Sequence, residues 1–220
     1  MFAVSRTLAT RKAYASARAI AFFLTVTAGG LAADLLTKHY VFHSLLTDPQ
    51  AAQRLQHART ANQHADIRDL LSVCSRDVCP GVRFTLSTNP GIVFGLRVHR
   101  LAVNIATVGA MVLVLAMFGS SDRRSAFTHL AMAFIMGGAM GNLYDRLLAE
   151  VRLPLAGVEP IRHQVRDFID LGQLHYPYIF NVADALLVIG VAILVLHWVL
   201  PPRRAATQSS RGNAGNRAAD

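Results

Sequence analysis

The sequence predicts a membrane α-helical protein with four transmembrane helices, and three observations lead to that class. First, 53% of the 220 residues are hydrophobic and only 16% are charged, a balance that is unusual for a soluble domain. Second, four segments approach or reach the roughly 20 apolar residues that a membrane-spanning helix needs. Third, none of them shows a polar stripe at helical period, so each can face lipid all round. The segments are 19–37, 101–118, 127–148 and 178–200.

The positions of the basic residues orient these segments. Residues 1–18 carry Arg6, Arg11, Lys12 and Arg18 and no acid, and the loop 119–126 and the tail after 200 also hold arginines. Because short loops rich in Arg and Lys stay in the cytoplasm, we expect both termini there, with the loops 39–100 and 150–177 outside. The net charge of +9 flanks the apolar runs, which favours membrane lipids over nucleic acid as its partner.

The chain length predicts one domain. We divide it into a cytoplasmic tail at 1–18, a transmembrane domain at 19–200 and a disordered cytoplasmic tail at 201–220. The first outer loop holds an insert at about 44–80, in which Asp48-Pro49 predicts the start of a surface helix. Beyond the insert, two β-prone runs flank the turn signal Asn89-Pro90-Gly91 and predict a small extracytoplasmic β-cradle.

Two cysteines are too few for a disulfide scaffold. Cys74 and Cys79 can close a small bridge in an oxidising compartment or stay as free thiols, and the sequence leaves both alternatives open. No second Cys/His pair has the spacing of a zinc site. We therefore expect no metal and no cofactor, while the oligomeric state cannot be read from the sequence.

Charged residues at the ends of the apolar segments are the candidates for chemistry, since a charge inside a membrane span costs about 2.5 to 3.5 kcal/mol. In the predicted topology they all fall in the outer leaflet. At about 1.5 Å per residue, Asp184 would lie roughly 9 Å below a helix start at Tyr178. The candidates are Asp34, Asp145, Arg146 and Asp184, with Asp167 close by.

Three interpretations of these charges compete. Arg146 can pair with one carboxylate while the other acids meet water, which would be purely structural. A transporter would use the aspartates as a proton or cation relay, but the inner leaflet offers no polar path. A hydrolase would hold two carboxylates that share one proton around a water molecule, with the ionised one acting as base. Asn142 and Asn181 lie one helical turn from Arg146 and Asp184, and can position a substrate or join helices.

The first apolar segment has a rival interpretation. Basic residues followed by an apolar stretch that ends in small residues at Ala33 are typical of a cleavable signal peptide. Composition alone does not decide between that and a transmembrane helix.

Five motifs, taken in chain order, resemble lipoprotein signal peptidase, also called signal peptidase II. They are DLLTK (34–38), TNPGIVFG (88–95), GGAMGNLYDR (137–146), VRDFID (165–170) and FNVADALLVIG (180–190), and they touch all four helices and both outer loops. The resemblance implies an intramembrane aspartic endopeptidase of the bacterial inner membrane. It would remove the signal peptide from diacylglyceryl-modified prolipoproteins, cutting before the lipidated cysteine, so its partners would be lipid-modified prolipoproteins and membrane lipids.

On the family pattern, Asp167 and Asp184 are the catalytic pair. Asp145 also matches the family, but its position next to Arg146 favours a structural role. The match at Asp34 and Lys38 argues against cleavage at Ala33, which would free the helix that carries them. The resemblance implies substrate contacts for seven residues: Asp34, Lys38, Asn89, Gly91, Asn142, Arg146 and Asn181.

The sequence departs from the family pattern in two places. Leu35 stands where the family usually has Gln, and Ile92-Val93, preceded by Pro90, stands where it usually has an alanine pair. Bulkier side chains there leave the substrate preference open. The insert at 44–80 is longer than the family norm and receives no role. A transporter is the alternative function, and an inactive membrane scaffold is the third.

Overall fold

The computed structural model describes residues 12–62, 67–93, 96–97 and 99–200. Within this part of the chain, four helices are long and apolar enough to cross a membrane, which confirms the predicted fold class. The first of them runs on to Leu46, beyond the predicted end at 37. The helices are α1 (Ala17–Leu46), α2 (Ala51–Ala61), α3 (Ile67–Ser72), α4 (Arg100–Ser120), α5 (Ala126–Leu147) and α6 (Val182–Val199), of which α1, α4, α5 and α6 are the spans.

The start of α6 differs from the expectation. The helix begins at Val182 and not at Tyr178, because Asn181 caps it with a reciprocal pair of hydrogen bonds. The Asp184 N–H donates to Asn181 Oδ1 at 2.9 Å, and the Asn181 N–H donates to Asp184 Oδ2 at 3.3 Å. Such a capping box satisfies N–H groups that a helix start leaves open. Asp184 therefore lies in the first turn, and the expected depth of roughly 9 Å below the helix start is wrong.

Helix α5 is the centre of the bundle. In its most apolar stretch 61% of the residues are buried, against 22% in α1 and 11% in each of α4 and α6. Glycines allow the neighbouring helices to approach its backbone. A Cβ at Gly138 would collide with the carbonyl oxygen of Ala183, and one at Gly137 would lie 3.0 Å from that of Thr27. Small residues at such contacts are typical of helix packing in membranes.

A small antiparallel sheet covers one end of the bundle and confirms the β-rich element. Its strand order is β1 (Ser75–Cys79), β2 (Val82–Asn89), β7 (Val165–Asp170) and β8 (Ile179–Phe180). Two short hairpins accompany it, β3 (Ile92–Val93) with β4 (Leu96–Arg97) and β5 (Glu150–Val151) with β6 (Ile161–Arg162). Strand β2 pairs with β1 and β7, so the run after the Asn89-Pro90-Gly91 turn forms its own hairpin.

The insert folds against this sheet. Asp48 Oδ1 accepts a hydrogen bond of 2.8 Å from the Gln50 N–H, and the surface helix α2 begins just after, at Ala51. A second helix, α3, follows α2 in the insert. Leu55 and Leu71 are fully buried in one apolar cluster with Phe168 of β7. Cys74 is buried in the same cluster, Cys79 is exposed, and both are free thiols.

At the opposite end of the bundle, hydrogen bonds join the segment before α1 to the α4–α5 loop, next to a buried apolar cluster. The Ala13 N–H donates to the Ser121 carbonyl oxygen at 3.0 Å, and Lys12 Nζ donates to the Ser120 carbonyl oxygen at 2.9 Å. Ala13 is fully buried there beside Phe118. Helix α1 begins at Ala17, inside the tail predicted at 1–18. Residues 1–11 and the tail predicted at 201–220 lie outside the described residues.

Candidate active site

Lys38 is the centre of a buried ionic cluster at the end of the bundle that the sheet covers. Its Nζ lies 2.7 Å from Asp34 Oδ2 and 3.0 Å from Asp145 Oδ2, and the side chains of all three residues are fully buried. It also donates to Asn142 Oδ1 at 3.1 Å. A buried charge is tolerated only when it is paired and hydrogen-bonded, and here α1 and α5 each supply a carboxylate.

Arg166 completes the cluster from strand β7. Its Nη2 lies 2.6 Å and its Nε 3.0 Å from Asp145 Oδ1, while its backbone N–H donates to Asp145 Oδ2 at 3.0 Å. This two-pronged geometry is the strong form of an Arg–carboxylate pair. It fixes the end of α5 to β7 directly beside Asp167. Arg166 was not among the residues predicted from the sequence, because only the packing of β7 on α5 brings it to Asp145.

Asp167 lies in β7 opposite Ser87 of β2 and is 5% exposed. Among the described residues, only the side chain of Asn181 hydrogen-bonds to the Asp167 carboxylate, with Nδ2 donating to Oδ1. Burial and, next, the charge of Asp184 raise the pKa of Asp167 well above its ordinary value. This carboxyl group therefore favours its protonated form.

Asp184 sits beside Asp167 on the first turn of α6. Asn142 Nδ2 donates to Asp184 Oδ1 at 2.8 Å, and the backbone of Asn181 donates to its other oxygen. Asn181 thus bonds to both aspartates, through its side chain to one and through its backbone to the other. Asp184 is only partly buried, and it lines a cavity of about 260 Å³ together with Asn142 and Arg146.

The two asparagines connect the ionic cluster to the aspartates. Asn142 Oδ1 accepts from Lys38 Nζ at 3.1 Å and from Asn181 Nδ2 at 3.3 Å. Its amide nitrogen is then left to donate to Asp184. A side-chain amide has one acceptor and two donor hydrogens, so the lysine on one side fixes which way the Asn142 amide faces the carboxylates.

Arg146 does not take the structural role that the first interpretation gave it. It forms no ion pair with a described residue, and its buried Nε has no hydrogen-bond partner there. Lys38 and Arg166 neutralise the buried carboxylates instead. Arg146 lines two cavities, and its unpaired guanidinium is therefore available to a ligand.

Two residues expected to touch substrate are placed where they cannot. Asp34 and Lys38 are fully buried and lie behind Asn142, so the expectation of direct contact does not fit. Asp34 Oδ1 accepts from the Ala183 N–H at 2.9 Å. Since Ala183 immediately precedes Asp184, this bond holds the first turn of α6 in place. Asp34 and Lys38 therefore position the site residues through hydrogen bonds to Ala183 and Asn142.

Asn89 and Gly91 form the turn at the end of β2. Asn89 Oδ1 accepts from the Gly91 N–H at 2.9 Å, and Gly91 has a φ of 106°, which favours glycine. Asn89 pairs with Val165, two residues before Asp167. The turn therefore lies at the edge of the site, and the side chains of Ile92 and Val93 beyond it lie outside the described part.

A family model described as "Signal peptidase (SPase) II" matches residues 26–200, which is most of the chain. The chain belongs to the signal peptidase II family. The match confirms the resemblance carried by the five motifs, and it includes every residue of the site described above.

Named relatives agree with this family. Proteins called lipoprotein signal peptidase are 35% identical over 116 residues in Brevibacillus brevis, 36% over 131 residues in Aquifex aeolicus and 37% over 107 residues in Serratia proteamaculans. The aligned parts cover 51%, 56% and 48% of this chain and 66%, 68% and 54% of those relatives. The chain therefore spans between about half and two thirds of the length of the signal peptidase II relatives that it matches.

Two solved structures share the fold. Both are described as a bacterial membrane enzyme, and both are 23% identical to this chain and cover 86% of it. Their TM-scores are 0.54 and 0.55, over 91% and 97% of their own chains. The signal peptidase II family and the four membrane-length helices together indicate a bacterial membrane protein.

Proposed function

We propose that this signal peptidase II family member is an aspartic endopeptidase. It removes the signal peptide from diacylglyceryl-modified prolipoproteins by cutting the bond before the lipidated cysteine. One observation carries the mechanism. Two carboxylates from different elements, Asp167 of β7 and Asp184 of α6, are bound to the same asparagine, Asn181. The family and its named relatives support the substrate class.

The environments of the two aspartates suggest their roles. Burial and the neighbouring charge raise the pKa of Asp167, so the shared proton resides there and can be donated in a hydrogen bond to the scissile carbonyl oxygen. Asp184 lines the open cavity and takes a proton from water as the water oxygen bonds to the carbonyl carbon. That proton then passes to the leaving nitrogen as the carbon–nitrogen bond breaks. No metal enters these steps.

Neighbouring side chains would position the substrate. Arg146 has a buried nitrogen without a partner beside Asp184, so its guanidinium is free to bind a substrate carbonyl group. Asn142 and Asn181 hold the two carboxylates in place, and Asn89 and Gly91 shape the edge of the cleft. Asp34 and Lys38 support the asparagines without touching the peptide.

The proposed location of the reaction is the outer leaflet, with both termini in the cytoplasm. The aspartates lie at the end of the bundle covered by the sheet, while the start of α1 lies at the other end. A signal peptide is itself apolar and reaches such a site without leaving the membrane. Short basic flanks at the opposite end support the orientation.

A relay for ions would need polar groups along the whole bundle. Among the described residues, the buried Asp and Lys side chains all lie at the end covered by the sheet, whereas the buried titratable side chain at the other end is His129, which hydrogen-bonds to Ser121. At the other end, Phe23, Phe118 and Met132 pack into a buried apolar cluster. This distribution supports the peptidase over the transporter.

The proposal is tested with purified protein and two precursors, one diacylglyceryl-modified and one unmodified. We expect cleavage of the modified precursor only, with mass spectrometry showing a product that begins at the lipidated cysteine. Cleavage should survive a metal chelator, because the carboxylates alone activate the water. Loss of activity with the chelator, or a cut elsewhere in the precursor, would overturn the proposal.

A further inference from the structure

A second cavity, of about 300 Å³, opens at the end of the bundle that holds the aspartates. It lies between the start of α4, the end of α5 and the β5–β6 hairpin region, and we call it the basic pocket. Its polar lining comes from Arg100, Arg146, His99, His163 and Asn104, and no Asp or Glu of the described residues lines it. The proposed mechanism uses Arg146 in the cavity that it shares with Asp184. It gives no role to the basic pocket.

Neither arginine of the basic pocket has a carboxylate within ion-pair distance among the described residues, although Asp184, Asp167 and Asp145 attract Arg146 from further away. Arg100 forms no ion pair within the described residues, and the buried Nε of Arg146 has no hydrogen-bond partner there. By contrast, Arg83, Arg152 and Arg162 each have a carboxylate within 3.1 Å. Two unpaired guanidinium groups around one cavity provide a site for an anion with several oxygens, such as a phosphate.

The start of α4 strengthens this preference. His99 caps the helix, and its Nδ1 accepts a hydrogen bond from the Leu101 N–H at 3.3 Å. The helix is 21 residues long and begins at Arg100. Because His99, Arg100 and Leu101 line the pocket, the positive end of the helix dipole lies at the pocket. Anions are stabilised at such a terminus.

The pocket also contains an acceptor without a donor. Asn104 Oδ1 is buried and has no hydrogen-bond partner in the described residues, and its side chain lines the cavity. A phosphodiester has no P–O–H group and offers no donor to it, whereas a hydroxyl group next to the phosphodiester does. The lining therefore fits a phosphodiester that carries a polyol.

Most of the surface of α4 is apolar and exposed, and it includes one row of residues, here called the stripe, that runs away from the pocket. Leu101, Ile105, Val108 and Val112 are all exposed, from 47% to 63%, and their spacing places them on one helix face. Leu101 belongs to both the stripe and the pocket wall. A ligand whose anionic headgroup enters the pocket would therefore lay an acyl chain along this stripe, as a membrane lipid does.

We propose that the basic pocket binds the headgroup of an anionic glycerophospholipid, with its phosphate between Arg100 and Arg146 and a headgroup hydroxyl on Asn104. The site sits next to the cavity of Asp184 and shares Arg146 with it. A bound lipid would thus hold the Arg146 guanidinium in place. Lipid binding at this pocket does not depend on the proposed peptidase activity.

The test measures lipid binding to the full chain in a neutral detergent by native mass spectrometry, with phosphatidylglycerol as the probe. Removal of one basic charge near a membrane surface costs about 1 kcal/mol, so Arg100→Gln should weaken binding by about fivefold. Arg100→Lys should retain most of the affinity. Arg124→Gln is the matched control, because Arg124 is an exposed arginine in the α4–α5 loop at the opposite end of the same helices, and it should bind as the unaltered chain does.

Three further arms identify the ligand. Phosphatidylcholine should bind more weakly than phosphatidylglycerol, and inorganic phosphate at the same concentration should not compete. Asn104→Leu should remove the preference for phosphatidylglycerol over phosphatidic acid, which lacks the headgroup hydroxyls. Equal binding by all Arg100 variants would overturn the proposal. Competition by inorganic phosphate that is as strong as that of the lipid would show a site for free anions instead and overturn the lipid assignment.

Discussion

Two groups of buried carboxylates lie side by side in this molecule, and their surroundings differ. Asp34 and Asp145 are in contact with Lys38 and Arg166 at 2.6 to 3.0 Å. Asp167 lies next to this cluster. It receives an amide hydrogen bond from Asn181 and forms no ion pair with a described residue. The first group is neutralised by cations, and the second is not.

We propose that this difference separates a structural role from a chemical one. A carboxylate that is paired with a buried cation holds the elements of the bundle together, and breaking such a pair is costly. A buried carboxyl group without a cation keeps its proton and can share it with a neighbour. The two kinds are linked by hydrogen bonds: Lys38 donates to Asn142, Asn142 accepts from Asn181, and Asn181 donates to Asp167.

The largest expected effect is on catalysis. Asp167→Asn and Asp184→Asn should each lower the rate of precursor cleavage by at least roughly 10³-fold, as removal of a group that acts as part of a catalytic unit does. Asp170→Asn is the matched control, because Asp170 lies three residues further along the same strand and bonds to Thr85 and Gly172. It should cleave nearly normally. Equal losses in all three variants would contradict the assignment.

The next effect is on stability and concerns the paired carboxylates. Asp145→Asn leaves Arg166 and part of the Lys38 charge buried without compensation, and breaking a buried pair costs about 3 to 5 kcal/mol. We expect a large drop in the free energy of unfolding, measured in detergent with a chemical denaturant. Glu150→Gln is the control, since its salt bridges to Arg152 and Arg162 are exposed and should contribute little.

Asp167→Asn should affect stability in the opposite direction. At a pH between the ordinary pKa of 3.8 and the raised pKa of the folded state, the unfolded chain has released the Asp167 proton and the folded chain keeps it. Stability of the unaltered protein therefore falls as pH rises through this window. The amide has no proton to lose, so the variant should lack that decline. A variant that is less stable than the unaltered protein throughout the window would show that Asp167 is structurally paired.

The smallest effect concerns the thiols of the insert, which no mechanism uses. Cys79 is exposed, and burial raises the pKa of Cys74, which lowers its reactivity. Native protein should take up one maleimide and unfolded protein two, by mass. Uptake of none in the native state would show that the two are joined. Cys79→Ser should abolish the native labelling and leave precursor cleavage unchanged.

Much of this fold could be predicted from the sequence. Four long apolar runs leave few alternatives to membrane helices, and the turn at Asn89-Pro90-Gly91 indicated strands nearby. The fourth helix was extended too far, because the run from Tyr178 to Phe180 is apolar but Ile179 and Phe180 join the sheet as β8. Only the capping geometry of Asn181 shows where α6 begins.

The site was predicted as a set of residues but not as an arrangement. The family pattern grouped Asp34 and Lys38 with the substrate contacts, since a motif says that residues matter and not which way they face. The pairing of Asp145 with Arg166 depends on contact between α5 and β7, far apart in the chain. Spacing within one helix cannot indicate such a contact.

The central claim is that one proton is held on Asp167 beside Asp184. Infrared difference spectroscopy of isotope-labelled carboxyl groups tests it most directly, with Asp167→Asn used to assign the signal. We predict that a protonated carboxyl band is present at neutral pH, is absent in Asp167→Asn, and titrates at lower pH in Asp184→Asn because the neighbouring charge is gone. A spectrum in which Asp167 is fully ionised at neutral pH would contradict the account.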